Sequence, residues 1–90
     1  MYQQMILRLI ESCEAEAGQG RTREQIREQW LPEKVRHLVV NMAPRQFIEW
    51  VRDDPDYRDY FFEVQDSGVC AKPAEAAALI LETIVLDAID

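Results

Sequence analysis

The side chains best suited to nucleophilic catalysis are those of His37, Cys13 and Cys70. A histidine beside a cysteine can generate the reactive thiolate of a covalent catalyst. Cys13 falls within an apolar stripe, where cysteine is usually an inert packing residue, and His37 projects to the polar side of its segment. His37 has no serine or cysteine at recognisable triad spacing, and only the fold decides whether Cys13 or Cys70 meets it in space. We therefore expect an exposed histidine, two reduced cysteines and no enzymatic activity.

Metal and phosphate sites also require particular spacings. The densest group of carboxylates comprises Asp53, Asp54, Asp56 and Asp59, but it lacks the glycine and the terminal glutamate of a calcium loop. The chain has no CxxC or HExxH motif that would bind zinc. The stretch Gly18-Gln19-Gly20 lacks the preceding strand and the lysine of a phosphate-binding loop. The sequence predicts neither a bound metal nor a cofactor.

Charge is distributed unevenly along the 90 residues, which carry 10 basic and 17 acidic side chains and a net charge of −7. Residues 1–45 hold 7 basic and 6 acidic side chains, whereas residues 46–90 hold 3 and 11. Duplex DNA and anionic membranes bind basic surfaces, so we expect neither as a direct ligand. An acidic half fits a protein partner with a basic surface, or serves solubility alone.

The hydropathy pattern indicates no membrane segment and no secretory signal. The longest apolar run, Ala76–Leu81, is far shorter than the ~20 residues that span a bilayer. A secretory signal has a basic first region followed by an apolar stretch. Here the first residues are not basic, and Arg8 interrupts the apolar stretch directly after Ile6 and Leu7. Two cysteines are also too few for a disulfide scaffold. These features predict a cytoplasmic protein.

The elements that must position these side chains are helices, because apolar residues recur at helical spacing in short segments. The first segment covers Tyr2–Ala17 and ends at glycine, and the last covers Pro73–Ile89. Between them, Thr22–Gln25 fits a capping box that begins a helix. Pro32 and Pro44 are each expected in the first turn of a further helix.

We expect residues 1–90 to form one all-α domain of five to six short helices, with the C-terminal helix at its centre. The alternative is a mostly helical fold with a small hairpin near residues 60–71, turning at Gln65–Gly68. The helical spacing of Tyr57, Tyr60, Phe61 and Val64 favours a helix over the hairpin.

A few large apolar residues fall on the wrong side of their helices. Leu79 and Leu86 lie seven residues apart on the acidic side of the last segment. Phe62 belongs to an earlier segment and lies opposite the apolar face of that segment. Trp50 lies at the edge of its apolar arc. Either the last helix is buried on most sides, or these residues form an apolar patch rimmed by carboxylates, the usual form of a protein-binding surface.

The sequence therefore predicts a small acidic, non-enzymatic protein-binding module, such as an adaptor, an inhibitor, or an immunity or antitoxin-type regulator. It would act through Trp50, Phe62, Leu79 and Leu86. One alternative is a nucleic-acid mimic that blocks a basic nucleic-acid-binding partner. Another is a structural homo-oligomer, since a Leu79/Leu86 seam also fits a symmetric homodimer. The acidic face predicted for the first two consists of Asp53, Asp54, Asp56, Asp59, Glu63 and Asp66.

Overall fold

The computed structural model describes residues 2–68 and 72–89, and within these ranges the chain forms five helices and no strand. The all-α prediction is confirmed. The hairpin alternative is wrong where the structure describes it, because residues 60–67 are helical; Cys70 lies outside the described residues. The helices are α1 (Tyr2–Gly18), α2 (Arg23–Gln25, Ile26–Trp30 and Leu31–Val40 in succession), α3 (Pro44–Asp53), α4 (Arg58–Ser67) and α5 (Pro73–Ile89).

Helix α2 begins with the predicted capping box. The hydroxyl oxygen of Thr22 accepts a hydrogen bond from the backbone N–H of Gln25 at 3.1 Å, and the Gln25 side-chain oxygen accepts one from the Thr22 N–H at 2.9 Å. Both bonds satisfy backbone donors that would otherwise have no partner at the start of a helix.

Pro32 lies in the first turn of the segment Leu31–Val40, as predicted, but this segment is not a separate helix, since α2 reaches it through the π-helical turn Ile26–Trp30. A proline within a helix cannot donate to the carbonyl four residues earlier, and its ring collides with that carbonyl. Widening the preceding turn is a known way to accommodate such a residue, and here the Leu31 N–H donates to the carbonyl of Ile26, five residues back. The two segments expected on either side of Pro32 are therefore one helix.

Helix α5 is the centre of the fold, as predicted, because each of the other four helices packs against it. None of its residues from Ala76 to Leu86 is fully exposed. The core is apolar throughout the described ranges, with no buried polar or charged residue. Its members are Ile6, Leu9, Cys13, Ile26, Leu31, Val35, Val39, Phe47, Val51, Val64, Ala77, Ile80, Leu81, Ile84 and Val85.

A tight turn joins α3 to α4. The Asp54 carboxylate accepts a hydrogen bond from the Asp56 N–H at 2.8 Å, and its carbonyl accepts one from the Arg58 N–H at 2.9 Å. Asp54 thus fixes the turn that leads into α4. At the other end of α4, Gly68 has φ +66°, which is the left-handed conformation that favours glycine after a helix.

Candidate functional site

Phe62 is one of three large apolar residues exposed within the described ranges, with Leu7 and Val40, and the only aromatic one among them. It leaves 48% of its surface exposed on the outer side of α4, and its ring meets that of Phe61 edge to face with the centroids 5.3 Å apart. Phe61 is half-buried and packs against the core. Asp59 and Asp66, three residues before and four after Phe62, lie beside it on the helix surface. The exposed ring is therefore flanked by two carboxylates and by Arg58, which lies four residues before it on the same helix face.

The carboxylates predicted for the acidic face do lie on one part of the surface, in the α3–α4 turn and along α4. Asp54 is half-buried and the others are exposed. Asp53 forms an exposed ion pair with Arg52 at 3.2 Å, which contributes little to stability. The remaining four have no ion-pair partner within residues 2–68 and 72–89. They are Asp56, Asp59, Glu63 and Asp66.

Trp50 is placed apart from Phe62, in a cluster of aromatic rings. Its centroid lies 5.6 Å from that of Tyr2, 6.3 Å from that of Phe47 and 5.5 Å from that of Tyr57. Such contacts stabilise beyond the area they bury. Trp50 therefore helps to join α1, α3 and the turn before α4, and it remains half-exposed.

Leu79 and Leu86 lie on the outer stripe of α5, where both are half-buried and pack against the core. Glu82 and Thr83 lie between them, and burial raises the pKa of the Glu82 carboxyl above its ordinary value. The Thr83 hydroxyl donates to the Leu79 carbonyl at 2.7 Å. The predicted interface residues thus occupy three settings: an exposed helix face, an aromatic cluster and a partly covered stripe.

Sequence reasoning missed a groove of about 760 Å³ between α1 and α2. Helix α1 and the Leu31–Val40 part of α2 both pack closely against α5 but only loosely against each other, and the groove opens between them. Its floor is apolar and its walls are polar. The lining consists of Gln4, Met5, Arg8, Leu9, Ser12, Ala15, Glu16, Trp30, Lys34, His37, Leu38 and Asn41.

The groove carries positive charge, in contrast to α4. Arg8 and Lys34 are exposed on its walls, and neither forms an ion pair within the described ranges. Glu16 is the one acidic lining residue, and its carboxylate is paired with the Arg21 guanidinium at 2.8 Å. The uncompensated charge of the lining is therefore cationic.

The spacing of the groove residues shows which of them share a helix face, but it does not show that the two faces form a groove. Gln4, Arg8, Ser12 and Ala15 recur every three or four residues, as do the residues from Trp30 to Asn41. In isolation each stripe is the solvated side of an amphipathic helix. The two stripes form opposite walls of the groove only because of the angle at which the two helices pack, and the sequence does not reveal that angle.

The histidine and the cysteine considered as catalytic candidates lie in different settings. His37 is exposed, whereas Cys13 is buried, and burial, followed by the nearby charges of Glu14 and Glu16, raises the pKa of its thiol to about 11. A thiol in this setting is protonated at neutral pH and is a poor nucleophile. The described residues contain no group of three or more His, Cys, Asp or Glu side chains that could hold a metal ion.

The comparisons with known proteins give no further guide. The chain matches no protein-family model, and it has no significant match among curated proteins or solved structures. None of the helices in the described part of the chain is long and apolar enough to cross a membrane.

Proposed function

We propose that this protein is a small, non-enzymatic protein-binding module, an adaptor, inhibitor or immunity-type regulator, whose α4 face contacts a partner with a basic surface. The observation that carries the proposal is the exposure of Phe62 among carboxylates. A solvent-exposed aromatic ring costs free energy in the unbound protein, and aromatic anchors surrounded by polar residues dominate the binding energy of protein interfaces. The chain has only two cysteines, too few for a disulfide scaffold, and this favours action in the cytoplasm.

The carboxylates around Phe62 suit the first stage of such binding. Asp59, Glu63 and Asp66 recur every three or four residues, so they lie along one side of α4. Their charges attract a basic surface during encounter, and salt weakens that attraction. Phe62 would then enter a pocket on the partner and slow dissociation.

The proposal is tested by capturing partners from a lysate of the source organism with tagged protein. Wild type is compared with Phe62→Asp and with Leu7→Asp, a matched control because Leu7 is 47% exposed on α1. We expect a stoichiometric partner with a basic surface that Leu7→Asp retains and Phe62→Asp loses. Equal capture by all three proteins, or no partner for the wild type, would contradict the proposal.

A nucleic-acid mimic is the second candidate, favoured by the regular row of carboxylates along α4 that have no ion-pair partner among the described residues. Such a row presents negative charge at intervals of about 5 Å, since successive members are three or four residues apart at 1.5 Å per residue. Binding would then fall steeply with salt and would survive Phe62→Ala. Asp59→Asn with Glu63→Gln would abolish it, whereas the matched pair Glu24→Gln with Glu28→Gln on α2 would not.

A further inference from the structure

We propose that the groove between α1 and α2 binds the α4 face of a second copy of this chain, so that the protein associates head to tail. This inference rests on the proposed function, because it uses the same α4 face and names one partner for it. The two surfaces are opposite in shape and in charge: one is a convex helix with an aromatic centre, and the other is a concave cationic cleft with an apolar floor.

The dimensions of the two surfaces agree. The α1 wall extends from Gln4 to Glu16, which is about 18 Å at 1.5 Å per residue. Helix α4 has ten residues, or about 15 Å. A helix of that length can lie along the groove, as amphipathic helices do in the apolar grooves of other proteins.

Apolar contact would be provided by Phe62 against the floor of the groove. Met5 and Leu38 are half-buried there, so each retains apolar surface that water still reaches. Trp30 on the adjoining wall is also half-buried. Covering these side chains with the Phe62 ring removes apolar surface of both copies from water.

The charges around these apolar groups are complementary. Arg8 and Lys34 on the groove walls would face Asp59 and Asp66, which flank Phe62 on the second copy. None of these four side chains has an ion-pair partner within the described part of the chain, so association breaks no existing pair. The net charge of −7 opposes self-association at long range, and salt screens that repulsion together with the local attraction.

The geometry determines the type of assembly. The groove and the α4 face are different surfaces of one molecule, so a single contact between two copies leaves one groove and one α4 face unoccupied. Such heterologous contacts extend into chains unless they close into a ring. The assembly is therefore expected to grow with protein concentration, either into chains or into a closed ring of two or more copies.

The association is tested by sedimentation velocity on the full chain. Wild type should show an average mass that rises with concentration. The groove variant Arg8→Glu/Lys34→Glu and the face variant Phe62→Asp should each remain monomeric. The matched controls are Arg36→Glu/Arg45→Glu, which makes the same charge change outside the groove, and Leu7→Asp; both should associate like the wild type. Circular dichroism checks that every variant is folded.

The decisive measurement mixes the two monomeric variants. The face variant still has an intact groove, and the groove variant has an intact α4 face, so together they can form one complete contact. We expect a 1:1 heterodimer that grows no further, which an interface formed by two α4 faces or by two grooves would not produce. A monomeric wild type at high concentration, or a mixture that stays monomeric, would overturn the inference.

These outcomes are separate from those of the proposed function. If the wild type is monomeric but captures a partner through Phe62, the binding module stands and the self-association is wrong. If the two variants form the heterodimer but no other protein is captured, the contact between copies stands and the proposed partner protein is wrong.

Discussion

The ammonium group of Lys34 lies 5.8 Å from the centroid of the Trp30 ring, one helical turn away along α2. A cation over an aromatic face at this distance is weakly attracted to it. Both residues line the groove, and Trp30 is the last residue of the π-helical turn. Trp30 thus belongs both to the turn that accommodates Pro32 and to the wall of the groove. Its fluorescence can therefore report on binding in the groove.

We expect the fluorescence of Trp30 to respond to self-association. In a Trp50→Phe variant, Trp30 is the only tryptophan, and its emission should shift to shorter wavelength as the protein is concentrated, because an α4 helix then covers the ring. In the reciprocal Trp30→Phe variant, Trp50 lies in its aromatic cluster and should show no such shift. Equal shifts in both variants would contradict a contact at the groove.

Phe62 and Leu86 should differ in their contribution to stability. Leu86 packs against the core from the central helix, so Leu86→Ala should lower the free energy of unfolding by about 1–3 kcal/mol, somewhat less than for a fully buried leucine. Phe62→Ala should change it by no more than about 0.5 kcal/mol, as at other surface sites. Urea denaturation of both variants measures the difference. A comparable loss in Phe62→Ala would mean that Phe62 is a packing residue.

The capping box gives a local test of how α2 begins. Thr22→Ala removes the hydroxyl that accepts the Gln25 N–H, and it should lower the free energy of unfolding by about 1 kcal/mol. Thr22→Ser keeps a hydroxyl in the same place and should be nearly neutral. Thermal denaturation of the two variants checks this. If both lose the same stability, the hydrogen bond is not the cause.

The capping box and the central α5 were predictable because each depends on residues close together in the sequence. Thr22 and Gln25 are three positions apart, and the apolar residues of α5 cover so much of its circumference that only a central position buries them. The continuity of α2 through Pro32 was not predictable from the proline alone, since a proline normally begins or breaks a helix. The groove was not predictable at all, because its walls are two solvated stripes more than a dozen residues apart.

Cys13 should be unreactive while the protein is folded. In a Cys70→Ser variant it is the only cysteine, and with a thiol pKa of about 11 it is almost wholly protonated at pH 8. Alkylation by iodoacetamide should be at least about 100-fold slower than for a cysteine of ordinary pKa, about 8.5, even before burial is considered. Unfolding in urea should restore the ordinary rate. Rapid alkylation of the folded protein would instead indicate an accessible thiolate, and would revive the case for an enzyme.

Glu82 should make stability depend on pH with a definite sign. Burial raises the pKa of its carboxyl in the folded protein, so the folded state holds the proton more tightly than the unfolded state does. Protonation of Glu82 therefore stabilises the folded state fully at pH values below the pKa of this carboxyl in the unfolded state, about 4.3. This stabilisation is lost as the pH rises through the higher pKa of the carboxyl in the folded state. The glutamine of Glu82→Gln is neutral at every pH, so this variant does not lose stability as the pH rises. At pH 7 it should unfold at a higher urea concentration than the wild type.

The control for Glu82 is Glu75, which lies two turns earlier on nearly the same side of α5 and is exposed. Glu75→Gln should bring no gain at pH 7, because its carboxylate lies in the first turn, where the helix dipole favours negative charge. The advantage of Glu82→Gln should also disappear below about pH 4, where both the folded and unfolded wild type carry a protonated carboxyl. A gain that persists at that pH would come from packing of the amide, and the outer stripe of α5 would then be more deeply covered than its half-buried leucines indicate.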